Sequence, residues 1–512
     1  MYYKMMPGAY YLKFKDFFYN LNNIYMKQTL IFGRTPYVIF VLLLNFCTAC
    51  NKQTATVVNK NLSKNILVNQ SLTVDFSINK GTGYPGVFGE QGAPDDAATA
   101  TKMAGQGFTT VRTGCDVNWL LGDPSTITLA DYKNDVNGIR TDPSKVWLSN
   151  SNELANYGSK GIKFIATIGY VPTWLSYNPN SVNGVPKDWT VFEELVQKMF
   201  LKYKSFNCVG YIEIWNEPTG QFLDLTGSPY TDRLTAYKDI YYHTAKAIRA
   251  VDANIPLGGP TAGDSKAWCI AWADSLLSDN RISKDVNFLN YHLYDHSAGN
   301  DSADIANWKA VAAKHGIMDM PIFITEWNYS WDLGIIPINN ESTDAISFVG
   351  KRLTDFYTNH LFAANIFAMF QYSSTNQWRQ DMCGIYENGN FMPKVRTFYL
   401  MSKILSLGNG LSVLKKTSWS AGQNITNAAC AVTADNKKVV WVTNDTTNST
   451  NLSIIVKGLS LSTQYTASVW EASATNTTQS VRQSIIFSTD QTGTGHFTLS
   501  IVGKSVTGFI IQ

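Results

Sequence analysis

The stretch "YIEIWNEPTG", Tyr211–Gly220, decides how the rest of the chain is read. It opens like a strand, yet it carries Glu213 and ends in Asn216, Glu217 and Pro218. Residues two apart on a strand share a face, so Glu213, Trp215 and Glu217 are expected to point one way, and Pro218 stops the strand. A second stretch, "PIFITEW" (321–327), repeats the pattern. On simple alternation Ile322, Ile324 and Glu326 share a face there, and Glu326 comes at the strand's end.

Two carboxylates at two strand ends call for an architecture that gathers strand ends together. From about residue 72 the chain alternates short β-like runs with amphipathic helical stretches. The candidate strands are "TVDFSI" (73–78), "FTTVRT" (108–113), "KFIATIGY" (163–170), "GYIEIWNE" (210–217), "IPLGGP" (255–260), "VNFLNYHLY" (286–294), "PIFITEW" and "IFAMFQY" (366–372). Between them lie helical patterns such as residues 231–252, where Leu234, Tyr237, Ile240, Tyr241 and Ala245 recur at helical spacing. Alternating strand and helix implies parallel strands, and eight repeats imply a (β/α)8 TIM barrel, an α/β fold. The rival, a doubly wound open sheet, would announce a Gly-rich phosphate loop after its first strand; "NKGTGYPG" (79–86) lacks that spacing.

After "MSKILSLGNGL" (401–411) the pattern changes to short alternating runs separated by polar turns, the mark of an antiparallel β-sandwich. An early strand around 63–75 is a candidate to join it. The expected organisation is therefore a signal region over 1–50, a tether over 51–70, a catalytic barrel over 71–410 and a β-sandwich over 411–512. The sandwich is read first as a support packed on the barrel, with glycan binding as the other option.

In a barrel, strands four and seven face each other across the mouth, and the C-terminal strand ends form the active site. Glu217 and Glu326 are then a converging carboxylate pair. Such a pair is what glycoside hydrolysis requires: one carboxyl protonates the leaving oxygen while the other attacks the anomeric carbon or activates water. Separation decides between the two, about 5–5.5 Å for retention and about 6.5–9.5 Å for inversion.

"EIWNEP" followed by "ITEW" resembles the clan A retaining glycoside hydrolases, and glycoside hydrolase family 39 (β-xylosidases and α-L-iduronidases) most of all. "LGGPTAG", "NYHLYD" and a small β-domain behind the barrel add to the resemblance, which covers roughly residues 75–512. It implies that Glu217 is the acid/base, Glu326 the nucleophile, and Asn216 a partner of the sugar's 2-hydroxyl. It implies no cofactor. Independently of any family, Glu217 must hold a proton near neutral pH, so an apolar neighbour such as Trp215 is expected to raise its pKa. Glu326 must be ionised, and Arg112 and Tyr294 are the candidate donors. Glu213, deeper in the strand, is expected to pair with a cation such as Arg112.

His292 and Trp327 are further candidates for contact with substrate, as is Trp174; aromatic faces stack on the apolar faces of sugars. Trp378, Asp295, Asp116 and Asn118 are weaker candidates. The long loop 114–145 is expected to wall the cleft.

Composition agrees with a neutral polar ligand: charged residues make 16% and aromatics 13%, and the net charge is +3. Nothing there favours nucleic acid. Seven cysteines and six histidines show neither HExxH nor a CxxC beside histidines at zinc spacing, so no metal site is read. From Met26 the chain has basic Lys27 and Arg34, the apolar run "YVIFVLLLNF" and small Thr48 and Ala49 before Cys50. This is the layout of an export signal, and it resembles a bacterial lipoprotein signal with lipidation at Cys50. Cys47 stands where an aliphatic residue is usual. Simple secretion and an uncleaved anchor are the alternatives; a lipid would be the protein's only tie to a membrane. Other readings are an endo-acting clan A glucanase or xylanase and, from a different class, a non-catalytic glycan-capture lipoprotein. Sugar, linkage, anomer and oligomeric state are left open by sequence.

Overall fold

The structure, a computed structural model, describes residues 70–92, 94, 96–220, 222–294, 301–329, 343–368, 386–387, 390–407, 414–421, 427–476 and 480–512. The signal region, Met26, Cys50, Asp295 and Trp378 lie outside them, as does the side chain of Asp116.

Eight parallel strands close into a barrel: β2 (Gly89–Gln91), β3 (Thr110–Asp116), β4 (Lys163–Gly169), β5 (Val209–Ile214), β6 (Leu257–Ala262), β7 (Phe288–Tyr294), β8 (Ile322–Asn328) and β9 (Ala363–Ile366). The helices between and after them are α1 (Ala97–Ala104), α2 (Leu129–Lys133), α3 (Ser151–Gly158), α4 (Trp189–Lys204), α5 (Arg233–Arg249), α6 (Ala267–Ser278), α7 (Asp301–Lys314), α8 (Asp344–Thr358) and α9 (Val395–Leu405). Aspartates start three of them. The carboxylates of Asp96, Asp188 and Asp232 accept from the free N–H groups of Thr99, Val191 and Thr235 at 2.8, 3.1 and 2.8 Å, the N-cap arrangement that Asp favours.

Two strands differ from the sequence reading. "TVDFSI" does not open the barrel. It lies in β1 (Gln70–Gly83), which pairs antiparallel with β12 (Leu414–Ala421) and parallel with β15 (Thr450–Lys457) in the C-terminal sheet. The barrel's first strand is instead the three-residue β2. "FGEQG" is too short and too rich in glycine to show a period of two, whereas β1 alternates clearly and attracted the assignment. The last barrel strand, β9, ends at Ile366, where the sequence reading began it.

Beyond the hairpin β10 (Tyr386–Glu387) and β11 (Asn390–Phe391), the remaining strands are β13 (Asn427–Val432), β14 (Lys438–Asn444), β16 (Gln464–Ala472), β17 (Val481–Ser488), β18 (Gly495–Ile501) and β19 (Ser505–Ile511). Together with β1, β12 and β15 they form one nine-stranded sheet in the order β17-β16-β19-β14-β13-β12-β1-β15-β18. Strands from both halves of this order send side chains into one apolar cluster, including Val74, Val442, Ile454, Val469, Leu499 and Phe509. The sheet therefore folds over on itself as a sandwich. Its outer face over β13, β14 and β19 is not solvent-facing. Trp441 donates to Thr354 Oγ1 on α8 at 3.0 Å and meets Tyr357 edge-on at 4.9 Å. That second contact explains why β14 and β19 are buried along their whole length while β15 and β18 alternate.

Inside the barrel the strands change character from floor to mouth. Near their N-terminal ends Ile165, Phe288, Phe323 and Ala363 form a dry cluster with Tyr211 and Phe362 packed against it. Phe288 stacks on Phe323 at 4.1 Å. Gly258 makes this possible, because a Cβ there would fall 2.0 Å from the Phe288 ring. Two residues further along the same strands, the side chains are Thr167, Glu213, Asn290 and Thr325, all buried.

Candidate active site

Strand β7 is the regular side of the mouth. Phe288, Asn290, His292 and Tyr294 follow one another at a spacing of two, from the aromatic floor to the opening. Strands β5 and β8 are irregular where their carboxylates stand.

On β8 the expected shared face of Ile322, Ile324 and Glu326 is not what forms. Ile322 and Ile324 pack into the core between barrel and helices, while Phe323 faces the barrel interior. The pairing with β7 shifts between Tyr291 and His292, and the pairing with β9 shifts between Ile324 and Trp327. This bulge moves Glu326 onto the inner face beside Thr325; re-aiming a side chain is a characteristic use of bulges near active sites. Trp327, the next residue, faces the helices. It is fully buried and meets Phe356 of α8 edge-on at 5.4 Å, so its expected contact with substrate is corrected to a packing role.

On β5 alternation ends at Ile214. Trp215 and Glu217 take left-handed backbone conformations, φ 69° and 42°, which non-glycine residues rarely adopt. The turn is held by Trp215 N–H to Ile168 O at 2.8 Å, Glu217 N–H to Thr261 O at 3.0 Å and the Trp215 indole N–H to Phe222 O at 2.6 Å. Trp215 is anchored behind the turn, against Tyr170. On the other side, a Cβ at Gly263 would sit 3.1 Å from the Glu217 carboxyl carbon, close enough that the carboxyl would have to give way by a few tenths of an ångström.

The side chains converge around Arg112, buried at the inner face of β3. Its guanidinium ion-pairs with Glu213 and Glu326, donates to Asn216 Oδ1 at 2.8 Å and reaches Gln91 Oε1 at 3.2 Å. Burial alone would weaken its hold on its proton; Glu213 and Glu326 outweigh that and hold it charged more firmly than usual. Glu326 also accepts from Tyr294 OH at 2.6 Å, so both donors expected for it are in place. Glu213 is held by Arg112, Thr167 and Asn290. With Oδ1 of Asn216 accepting from Arg112, the orientation of the amide is fixed and its N–H end faces away from the guanidinium.

His292, fully buried, lies with Nδ1 2.6 Å from Glu217 Oε1 and 3.5 Å from Glu326 Oε2. Burial pushes the Glu217 carboxyl up, but the His292 contact and the charges of His292 and Arg112 outweigh it and hold it below its ordinary value. Burial thus acts in the expected upward direction, but the His292 contact and the neighbouring charges turn the net shift downward. Donor atoms of Glu217, His292 and Glu326 all lie within 4.8 Å of one another. The trio has a composition that could hold a metal ion, and one Glu326 oxygen, Oε1, is already paired with the Arg112 guanidinium.

Trp174 packs against α2 rather than into this cluster. It is 9% exposed and stacks on Tyr132 of α2 at 5.6 Å, which covers one ring face and makes it part of the wall. Tyr132 and Arg140 of the long loop both bond Glu194 on α4, tying that wall down. Sequence reasoning missed Gln91, Thr167, Asn290 and Thr261. Gln91 was hidden by the unrecognised β2; the other three are small polar residues whose partners come from different strands.

The family model of glycosyl hydrolases family 39 matches residues 186–454. No curated protein matches the chain by sequence. Solved structures do resemble it: a glucosidase from Croceicoccus marinus (14% identity, 87% of this chain and 99% of that one, TM-score 0.64); a monomeric beta-xylosidase from Caulobacter crescentus CB15 (14%, 86% and 99%, 0.60); and the family 30 subfamily 8 xylanase Xyn30A from Clostridium acetobutylicum (17%, 86% and 99%, 0.58). At these identities the likeness speaks for the fold.

Proposed function

The chain belongs to the glycosyl hydrolases of family 39 and is a retaining glycosidase; from that premise we propose that Glu217 and Glu326 carry its double displacement. The carrying observation is that donor atoms of the two carboxyls lie within 4.8 Å of each other. That favours the roughly 5–5.5 Å separation of a retaining pair over the roughly 6.5–9.5 Å of an inverting one.

Glu326 attacks the anomeric carbon while the leaving oxygen takes a proton, giving a glycosyl-enzyme ester. Glu217 then removes a proton from the incoming water, which attacks the same carbon from the face the leaving group vacated. Glu217, hydrogen-bonded to His292, delivers the proton for the first step. While Glu326 is charged it repels a second carboxylate and favours a protonated Glu217. Once Glu326 is an ester that repulsion is gone, so Glu217 stays ionised and free to take the proton of water in the second step. Asn216 orients on the 2-hydroxyl, a contact that strengthens as positive charge develops on the ring.

For the substrate we propose a neutral glycan with a xyloside-type unit as the first to try, in keeping with the family resemblance and the low charge of the chain. For location we propose export with lipidation at Cys50, supported by the basic–apolar–small pattern ahead of it. Among the described residues no helix is long and apolar enough to cross a membrane. Product analysis on a panel of α- and β-linked oligosaccharides and polysaccharides, with Glu326→Gln beside the parent protein, tests the activity. Hydrolysis of one class that vanishes in the variant supports the reading; binding without hydrolysis by both proteins overturns it. Palmitate labelling of the parent and of Cys50→Ser tests the anchor, which fails if the two label alike.

A further inference from the structure

Asn290 touches neither carboxyl of the proposed pair, yet it is bonded to the supports of both. It is wholly buried on β7, one step below His292. Its Oδ1 accepts from Thr261 N–H at 3.1 Å, and its Nδ2 donates to Glu213 Oε2 at 2.7 Å and to Thr261 Oγ1 at 3.1 Å. A carboxylate on one side and an N–H on the other fix which end of the amide is which.

Each arm leads to a carboxyl. Thr261 is β-branched and left-handed, with φ 51°, a conformation that persists only where its surroundings impose it. Asn290 imposes it by holding both the Thr261 N–H and its hydroxyl. The Thr261 hydroxyl in turn donates to Ile214 O at 3.2 Å, and its carbonyl accepts from Glu217 N–H at 3.0 Å. The left-handed turn bearing Glu217 thus hangs from Thr261, and Thr261 from Asn290. On the other arm Glu213, fixed by Asn290, ion-pairs with Arg112, and Arg112 ion-pairs with Glu326. We propose that Asn290 is a positioning residue that couples the acid/base turn to the nucleophile's cation and so sets the spacing of the two carboxyls. The proposal rests on the assignment of Glu217 and Glu326.

The test uses the full chain and aryl glycosides of the sugar it hydrolyses, with leaving groups from 2,4-dinitrophenyl (which needs no proton) to 4-methylphenyl (which does). Variants Asn290→Ala and Thr261→Val are compared with Glu217→Gln and Glu326→Gln, each corrected for folded fraction by thermal melting. Misplacing a reacting group by an ångström costs about 10²-fold, so Asn290→Ala is expected to lower kcat by about that factor with KM little changed. It should also steepen the dependence on leaving group and move the pH profile. Thr261→Val, which cuts only the acid arm, should lose about tenfold on 4-methylphenyl glycosides and less on dinitrophenyl ones. Parent kcat, pH profile and leaving-group dependence per folded Asn290→Ala molecule would overturn the proposal. If Asn290→Ala does not fold, Thr261→Val decides: an unchanged leaving-group dependence overturns it. Full activity in both glutamine variants would sink the site assignment instead, a separate failure.

Discussion

The floor and the mouth of the barrel stand on the same strands, a few residues apart, and are built on opposite terms. At the floor, Phe288, Phe323 and Phe362 stack in parallel at 4.1 and 5.1 Å, and Tyr211 meets Phe323 edge-on. One register shift, between β4 and β5 at Phe164/Ile165, falls within this layer, and apolar shape does the ordering. At the mouth, Arg112 gathers Glu213, Glu326 and Asn216, and His292 reaches Glu217. There the backbone breaks its rhythm at the β8 bulge, at the left-handed turn after β5 and at left-handed Thr261 on β6. A closely packed apolar layer provides the base on which a more irregular, charged layer is held in place.

This contrast can be attacked from both sides. The largest effect belongs to Glu326→Gln, expected to remove activity by about four orders of magnitude or more, as loss of a nucleophile does; steady-state assays should show it with the fold intact. Glu217→Gln should cost about 10²–10⁴-fold on substrates with poor leaving groups and far less on activated ones. Arg112→Met leaves buried Glu213 and Glu326 without their cation and should cost about 3–5 kcal/mol of stability together with most of the activity. Phe288→Ala should lose a similar amount, about 3–5 kcal/mol, while activity per folded molecule stays within a few-fold. Equal kinetic damage from the Phe288 and Arg112 variants would erase the distinction drawn between the layers. The smallest effect is on pH. Replacing His292 with Asn removes the contact that lowers the Glu217 proton affinity. Glu217 then keeps its proton to higher pH, and the falling limb of kcat/KM should move upward; a downward move would contradict the role given to His292.

Much of this was legible in the sequence, for uneven reasons. Glu217, Glu326, Arg112, His292 and Tyr294 could be named because charged and aromatic residues at strand ends stand out against an apolar background, and Asn216 through the family resemblance of "EIWNEP"; the structure gathers them into one cluster. Glu326 was placed on the right face by the wrong rule. Strict alternation joins it to Ile324, which faces away, and the bulge that corrects this leaves no local signature. The same unbroken rule left Trp327 looking free to meet a sugar. Asn290 and Thr261 were invisible because a small polar residue inside a strand means nothing until its partners from other strands are known. The strand β1 was misplaced because its alternation fits either sheet, and only long-range pairing chooses.

That pairing bears on how the molecule comes into being. Leu72 lies opposite Ala421, and β1 is clasped between β12 and β15, so the first strand of the folded body finds its neighbours only after the whole barrel has been synthesised. Contacts so distant in sequence form slowly, and until then β1 is an apolar strand with two open edges, a template for pairing with other chains. Cutting the chain near residue 410 would accordingly not release a self-sufficient catalytic domain. It would leave that strand orphaned for good.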